Sequence, residues 1–246
     1  MSTDSAWVRA AAALPVGACA GEWLDGPWRL VAFLAVLGVA ALPRGFALLA
    51  ATVAVAFAAA PLSLANHHVV AGWYCLSWAL VGDDPAARRS LYAAMMGMAT
   101  LQKLLSSAFW TGSFVGWMGL TGEWARPLWR AVPPVARMVG INEGRLVAAE
   151  LEPVVLVAPP GTATAALGFT WLILVVETAL TWGAWRGHRG FVPLATAFVV
   201  LLPLVRDEWV FASLLAALTA FCSEAPRVRG ALLVGSACYA MVGLAT

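Results

Sequence analysis

Lysine is almost absent from this sequence of 246 residues, which has a single lysine, Lys103, beside 14 arginines. Charge of either sign is scarce, because charged residues make up 11% of the chain, against about 25% in soluble domains. The net charge is +2 and the sequence holds no basic cluster. This composition argues against an ordinary soluble domain and against nucleic acid as a partner.

Cysteine is also scarce, and its spacing excludes two common kinds of site. The four cysteines, Cys19, Cys75, Cys222 and Cys238, are far apart and lie in apolar surroundings. Because no C-x-x-C pair occurs, the sequence indicates neither a zinc site nor a redox pair. We expect these cysteines to behave as small buried apolar residues.

Long apolar runs dominate what remains. The chain is 62% hydrophobic with a mean hydropathy of +0.83, which predicts a polytopic membrane protein. A helix needs about 20 apolar residues to cross a bilayer, and some of the runs are shorter than that. We predict one all-α membrane domain over residues 1–246, a helical bundle with eight or nine membrane helices. Candidate helices occupy residues 6–21, 28–42, 45–65, 68–82, 90–108, 163–185, 190–205, 209–223 and 230–245.

The positions of the arginines predict the orientation of these helices. Arginine occurs in every second connection, at Arg44, at Arg88 and Arg89, at Arg186 and Arg189, and at Arg227 and Arg229. Because short cytoplasmic loops are enriched in basic residues, the N-terminus is predicted to be cytoplasmic. The long connection over residues 112–162 is then extracytoplasmic, since arginines in a long loop carry less weight. Within it, residues 135–152 predict a short amphipathic helix at the membrane surface.

Two neighbouring polar motifs are predicted to lie at similar depth. By this topology Asn66, His67 and His68 are at the outer end of a helix. Lys103 is about 21 Å along the helix that begins near Arg89, so it also falls in the outer half of a core about 30 Å thick. A lysine near imidazoles in a partly dry cavity is a credible general base. The alternative is a lysine that ends a helix and extends its ammonium to the lipid headgroups.

Glu177 is a third candidate, because an acid within an apolar span is expensive and is usually functional. The alternatives are that it pairs with the hydroxyl of Thr178 or Thr181, or stays protonated. A metal site at the two adjacent histidines would need a further ligand. His188 is predicted to lie on the opposite side, which leaves only a carboxylate such as Glu123 or Glu177. We therefore expect no metal.

The order of these motifs resembles the membrane domain of vitamin K-dependent γ-carboxylases and their bacterial relatives, the HTTM family. The resemblance is carried by Asn66-His67-His68, then by Lys103-Leu104, and then by Phe109-Trp110-Thr111-Gly112. It extends over about residues 25–225, and it implies a multi-pass protein of the bacterial inner (plasma) membrane. It further implies that Lys103 is the base that deprotonates a reduced, vitamin K-like quinone. His67 would match the active-site histidine.

From the resemblance we expect an outward-facing site for a reduced quinone or a similar apolar ring. Lys103 and His67 would be catalytic, in a carboxylase or quinol-epoxidase-like (lyase) reaction if the protein is active. Asn66, His68, Trp110 and Glu177 would line the substrate site. Two alternatives stay open, namely a non-catalytic transmembrane subunit of a larger membrane complex and a DoxX-like quinone-linked oxidoreductase subunit. The family's later Phe-His pair has no counterpart here, and we do not expect carboxylation of a protein glutamate.

Overall fold

A computed structural model describes residues 6–22, 24–59, 66–82, 84–123, 131–149, 153–205 and 208–245, without the side chains of Trp7, Phe57, Asn66 and His67. Within these ranges every regular element is a helix, which agrees with the predicted all-α class. The helices are α1 Ala6–Ala12, α2 Leu14–Gly21, α3 Trp28–Ala41, α4 Gly45–Ala59, α5 Asn66–Val81, α6 Pro85–Leu105, α7 Ser107–Trp110, α8 Ser113–Leu120, α9 Pro133–Ala148, α10 Thr162–Arg186, α11 Phe191–Val205, α12 Trp209–Cys222 and α13 Pro226–Ala245.

Two of the described helices, α10 and α13, are long and apolar enough to cross a membrane. Only 28% and 22% of their most apolar 18-residue windows are buried within the protein, so most of each helix surface is open to its surroundings. Helices α3, α4, α5, α11 and α12 are apolar but shorter. Length and composition therefore support α10 and α13 as membrane-spanning helices. The described parts of the other predicted spans are largely helical, but they do not combine the length and hydropathy needed to cross a membrane.

Most of the predicted boundaries agree with the helices to within a few residues, but two runs need correction. The run at 90–108 is not one helix, because α6 begins at Pro85 and ends at Leu105. Ser106 takes an extended backbone conformation, with φ −94° and ψ 113°, and separates α6 from α7. The run at 6–21 is likewise divided at Ala13, just before Pro15, which suits the first turn of a helix.

The contacts divide the chain into two compact units. Unit 1 holds the described residues of Met1–Met95, Gly183–Val199 and Glu208–Thr246, and unit 2 holds those of Met96–Trp182 and Val200–Asp207. Unit 1 has α12 at its centre, where residues 212–222 are all buried. The hydroxyls of Ser213 and Ser236 each donate to the other residue's backbone carbonyl, at 2.8 and 2.9 Å, and so join α12 to α13.

Four side-chain contacts within unit 1 link the ends of its helices. Two arginines donate to backbone carbonyls, Arg9 to Ala41 and Arg29 to Leu244. Two ionisable pairs are His68 with Glu22 at 3.4 Å and Arg89 with Glu224 at 3.7 Å. Each contact joins two segments that the predicted topology assigns to the same side, so all four are compatible with helices that alternate in direction.

The predicted helix at 135–152 corresponds to α9, and part of its apolar side packs against the protein. Val139 is buried, and Asn142, fully buried, donates to the carbonyls of Leu120 and Val157 and accepts from the Val157 amide. Val147, another apolar residue of this helix, is 83% exposed, and the position of α9 at the membrane surface stays a prediction. The last apolar residue of the predicted helix, Leu151, lies outside the described residues.

Candidate functional site

Lys103 is in the last turn of α6, where the helix stops three residues later at the Ser106 break. Its ammonium donates to both carboxylate oxygens of Glu177, at 2.7 Å from Oε1 and 2.9 Å from Oε2. The Lys103 side chain is 26% exposed and the Glu177 side chain 8% exposed. Two residues predicted separately as site residues are thus in direct contact, and both belong to unit 2.

Glu177 is held on α10, whose run of apolar residues brings its carboxylate into the interior of unit 2. The hydroxyl of buried Thr100, on α6, donates to the carbonyl of Met96. The predicted alternative was a hydroxyl of α10 itself, but Thr181 donates to the backbone carbonyl of Glu177 and not to its side chain. The described hydrogen bonds to the carboxylate therefore come from Lys103 of α6.

The aromatic residues that follow Lys103 pack beside this pair. The Lys103 ammonium lies 5.8 Å from the centre of the Phe109 ring. Phe109 is buried in a cluster with Ala166 and Leu174 of α10. Charge on an ammonium is stabilised by the face of an aromatic ring at about this distance. One side of the pair is thus closed by an apolar ring.

Trp110 has contacts that account for it without a ligand. Its indole N–H donates to the carbonyl of Leu104, which the helix break at Ser106 leaves without a helical partner. Its ring packs edge-on against the ring of Trp171 at a centroid distance of 4.9 Å. The structure shows that Trp110 caps the end of α6, and its predicted role as a substrate-binding residue stays a prediction.

The pair can do chemistry that an isolated lysine cannot. A carboxylate that accepts two short hydrogen bonds from an ammonium forms a strong, charge-assisted contact. The same contact offers a route for a proton between nitrogen and oxygen, because the two atoms are already at hydrogen-bonding distance. An ammonium that extends to lipid headgroups would instead point away from buried carboxylates, so this geometry does not resemble the predicted alternative for Lys103.

The predicted Asn66-His67-His68 part of the site is only partly described by the structure. The side chains of Asn66 and His67 lie outside the described residues, although both residues belong to α5. His68 is described, and its Nε2 is 3.4 Å from Glu22 in unit 1. The predicted proximity of His67 to Lys103 therefore stays a prediction.

Arg88 was predicted to lie in a cytoplasmic loop, but the structure places it in the protein interior. It is fully buried, and its guanidinium lies 4.4 Å from the Trp78 ring centre and 5.6 Å from that of Tyr74. It donates to the hydroxyl of Ser77 and to the carbonyl of Gly82. Arg88 is thus part of the core of unit 1, and the topology prediction rests on the other arginines. Tyr74 and Trp78, one helical turn apart on α5, are the sequence feature from which this site could have been predicted.

The four cysteines differ in their exposure. Cys19, Cys75 and Cys222 are buried as predicted, whereas Cys238 is exposed. Within the described ranges no three His, Cys, Asp or Glu residues are grouped as metal ligands would be.

Comparison of the chain with protein-family models, with curated proteins and with solved structures found no match. The family resemblance therefore depends on the short motifs around His67 and Lys103 alone.

Proposed function

We propose that this chain is an HTTM-type, γ-carboxylase-like membrane protein with an outward-facing site for a reduced quinone or a similar apolar ring. The observation that carries the proposal is the contact between Lys103 and Glu177, a partly exposed amine on a buried carboxylate. The apolar surfaces of α10 and α13 support the membrane location. The contacts between helix ends in unit 1 are compatible with a multi-pass arrangement. The cytoplasmic N-terminus is proposed from the arginine pattern, and the bacterial plasma membrane from the family resemblance.

The residues present fit a ring that carries a hydroxyl. A reduced quinone supplies an acidic hydroxyl, and Lys103 Nζ would accept its proton when the amine is neutral. Glu177 is placed to hold the proton that Lys103 gives up beforehand, so the pair would keep a constant total charge. Phe109 beside the ammonium supplies an apolar wall, and His67 is proposed to support the developing negative charge.

The test compares three forms of Lys103 in membranes. Arginine keeps the positive charge and the donors but stays protonated, so Lys103→Arg should lose quinol consumption as completely as Lys103→Ala. Arg137→Lys, on the exposed side of α9, is a control for a change of cation elsewhere. Equal amounts of folded protein must be compared. If Lys103→Arg still consumes quinol, Lys103 is not the general base.

A second candidate is a non-catalytic transmembrane subunit. It is favoured by the fact that the Lys103–Glu177 contact satisfies both charges without any ligand. In that case the pair joins α6 to α10 as part of a scaffold, and arginine should replace Lys103 well. Absence of quinol-dependent activity in the wild type would favour this candidate, and a DoxX-like subunit would instead show quinone reduction together with partner chains.

A further inference from the structure

The motif that follows Lys103 contacts one side of α10 in reverse order along the chain. Gly112 lies against Leu167, and the Trp110 ring packs against the ring of Trp171. Farther back in the chain, Phe109 belongs to a buried cluster that includes Ala166 and Leu174 of α10, and Lys103 binds Glu177. From Gly112 back through Trp110 to Lys103, the partners therefore advance along α10 from Leu167 to Trp171 to Glu177, and all of these residues belong to unit 2.

Gly112 is the point of closest approach in this series. A β-carbon added at Gly112 would lie 2.8 Å from the backbone nitrogen of Leu167 and 3.0 Å from its α-carbon. Both atoms belong to the helix backbone, so they can move only if α10 moves. Gly112 also has φ +73°, a conformation that favours glycine. Two independent features therefore select glycine at this position.

We infer that Gly112 is a positioning residue for the proposed site: by letting its backbone touch α10, it fixes the register at which Glu177 meets Lys103. A side chain at position 112 would push α10 away at Leu167. The contacts that continue from there to the Lys103–Glu177 pair would then shift. The inference rests on the proposed function for the use of the pair, but the register itself can be measured without turnover.

Asparagine separates the close approach from the backbone conformation. Asparagine tolerates positive φ better than most residues that have a β-carbon, so it should be acceptable where only φ matters. Gly161 is the matched control, because its φ is +83° and no described atom lies within 4 Å of an added β-carbon. Gly161→Asn should leave the site intact, whereas Gly112→Asn meets the backbone of Leu167.

The readout is the pH profile of Lys103 labelling by an amine-reactive ester, measured by mass spectrometry on folded protein. Lys103 is the only lysine, so its peptide is unambiguous. Glu177→Gln provides the reference for loss of the carboxylate. Because the carboxylate holds the ammonium through two hydrogen bonds, its removal should change the rate at which Lys103 is labelled over the measured pH range. Loss of stability alone does not move this profile in the fraction that stays folded.

We expect Gly112→Asn to shift towards the Glu177→Gln profile and Gly161→Asn to coincide with the wild type. A wild-type profile in folded Gly112→Asn would overturn the inference. Should Gly112→Asn give no folded protein, Trp171→Ala disturbs the next contact of the series, with exposed Leu172→Ala as its control. An unchanged profile in Trp171→Ala would then overturn the inference.

The outcome is independent of activity. A wild type that consumes no quinol, but whose labelling responds to Gly112→Asn, would overturn the proposed function and leave the positioning role standing. If the labelling profile of Glu177→Gln equals that of the wild type, Lys103 and Glu177 do not interact in the folded protein. Both proposals would then fail.

Discussion

Arg88 near the start of helix α6 and Lys103 near its end are satisfied in different ways. Arg88, in unit 1, is fully buried, and its described contacts are neutral acceptors and the faces of two aromatic rings. Lys103, in unit 2, is partly exposed and binds both oxygens of a carboxylate. An arginine stays protonated in proteins and its planar group matches rings and carbonyls, whereas a lysine can give up its proton.

Under the proposed function, this difference separates a structural cation, Arg88, from a chemical one, Lys103. The contacts of Arg88 require a charge that never changes, because they use its plane and its several donors at once. The contact of Lys103 is with a group that can take its proton, so the pair has two protonation states of equal total charge. Substitutions at both positions, ordered by expected effect, test whether this separation is real.

The largest loss of stability is expected for Arg88→Ala. It removes a fully buried side chain and leaves the Ser77 hydroxyl and the Gly82 carbonyl without their donor. The Ser77 hydroxyl still donates to the Tyr74 carbonyl, but the cavity and the two lost hydrogen bonds together should cost about 4 kcal/mol. Thermal unfolding in detergent measures this loss, with exposed Arg137→Ala as the control, expected within about 0.5 kcal/mol. Similar losses for both variants would mean that Arg88 is not a core residue.

Lys103→Ala should cost about 3 kcal/mol, because it leaves the buried carboxylate of Glu177 without its ion-pair partner. Glu177→Gln should cost less, since the amide is neutral. The double variant should lose less than the sum of the single losses, with a coupling energy of about 1–2 kcal/mol. Strict additivity in the unfolding experiments would show that the two side chains do not interact in the folded protein.

Replacing Arg88 by lysine and Lys103 by arginine tests the difference between the two cations directly. Arg88→Lys should cost about 2 kcal/mol, because lysine lacks the plane that stacks on Trp78 and the donors that reach two acceptors. Lys103→Arg should change the free energy of unfolding by less than about 1 kcal/mol, because arginine also binds carboxylates through two hydrogen bonds. Equal losses at both positions, in the same unfolding assay, would remove the distinction.

The smallest effect is expected at the helix end beside Lys103. Trp110→Phe keeps most of the ring contact with Trp171 but removes the indole donor to the Leu104 carbonyl. Loss of one partly exposed hydrogen bond should cost about 1 kcal/mol. Trp185→Phe, at an exposed tryptophan of α10, is the control and should be nearly neutral. A neutral Trp110→Phe would mean that water caps this carbonyl equally well.

The sequence was sufficient for the helices because apolar runs and prolines act locally. The boundaries of α3, α10 and α11 follow their runs closely. The break at Ser106 was missed, since the apolar pattern continues through it to Phe109. That break depends on how the segment packs against α10 and on the Trp110 cap, and neither is visible in a hydropathy pattern.

The site was less predictable because its parts are distant in the chain. Lys103 and Glu177 were each selected by the cost of placing a charge in an apolar run, yet they are 74 positions apart. Nothing local to either residue indicates its partner. Arg88 was predicted to be a loop cation because, with Arg89, it falls in the polar connection between the apolar runs 68–82 and 90–108. Tyr74 and Trp78, one helical turn apart, were the available signal for its burial.

The short helix α12 has a consequence for how the chain enters a membrane. Its 14 residues extend about 21 Å, less than the roughly 30 Å of a hydrocarbon core. Protein surrounds it on all sides over residues 212–222, and Ser213 ties it to Ser236 of α13. Such a helix does not need to be stable alone in lipid during synthesis, because it can insert as a hairpin with α13. Once assembled, its backbone amides should exchange with solvent more slowly than those of any helix that borders the lipid.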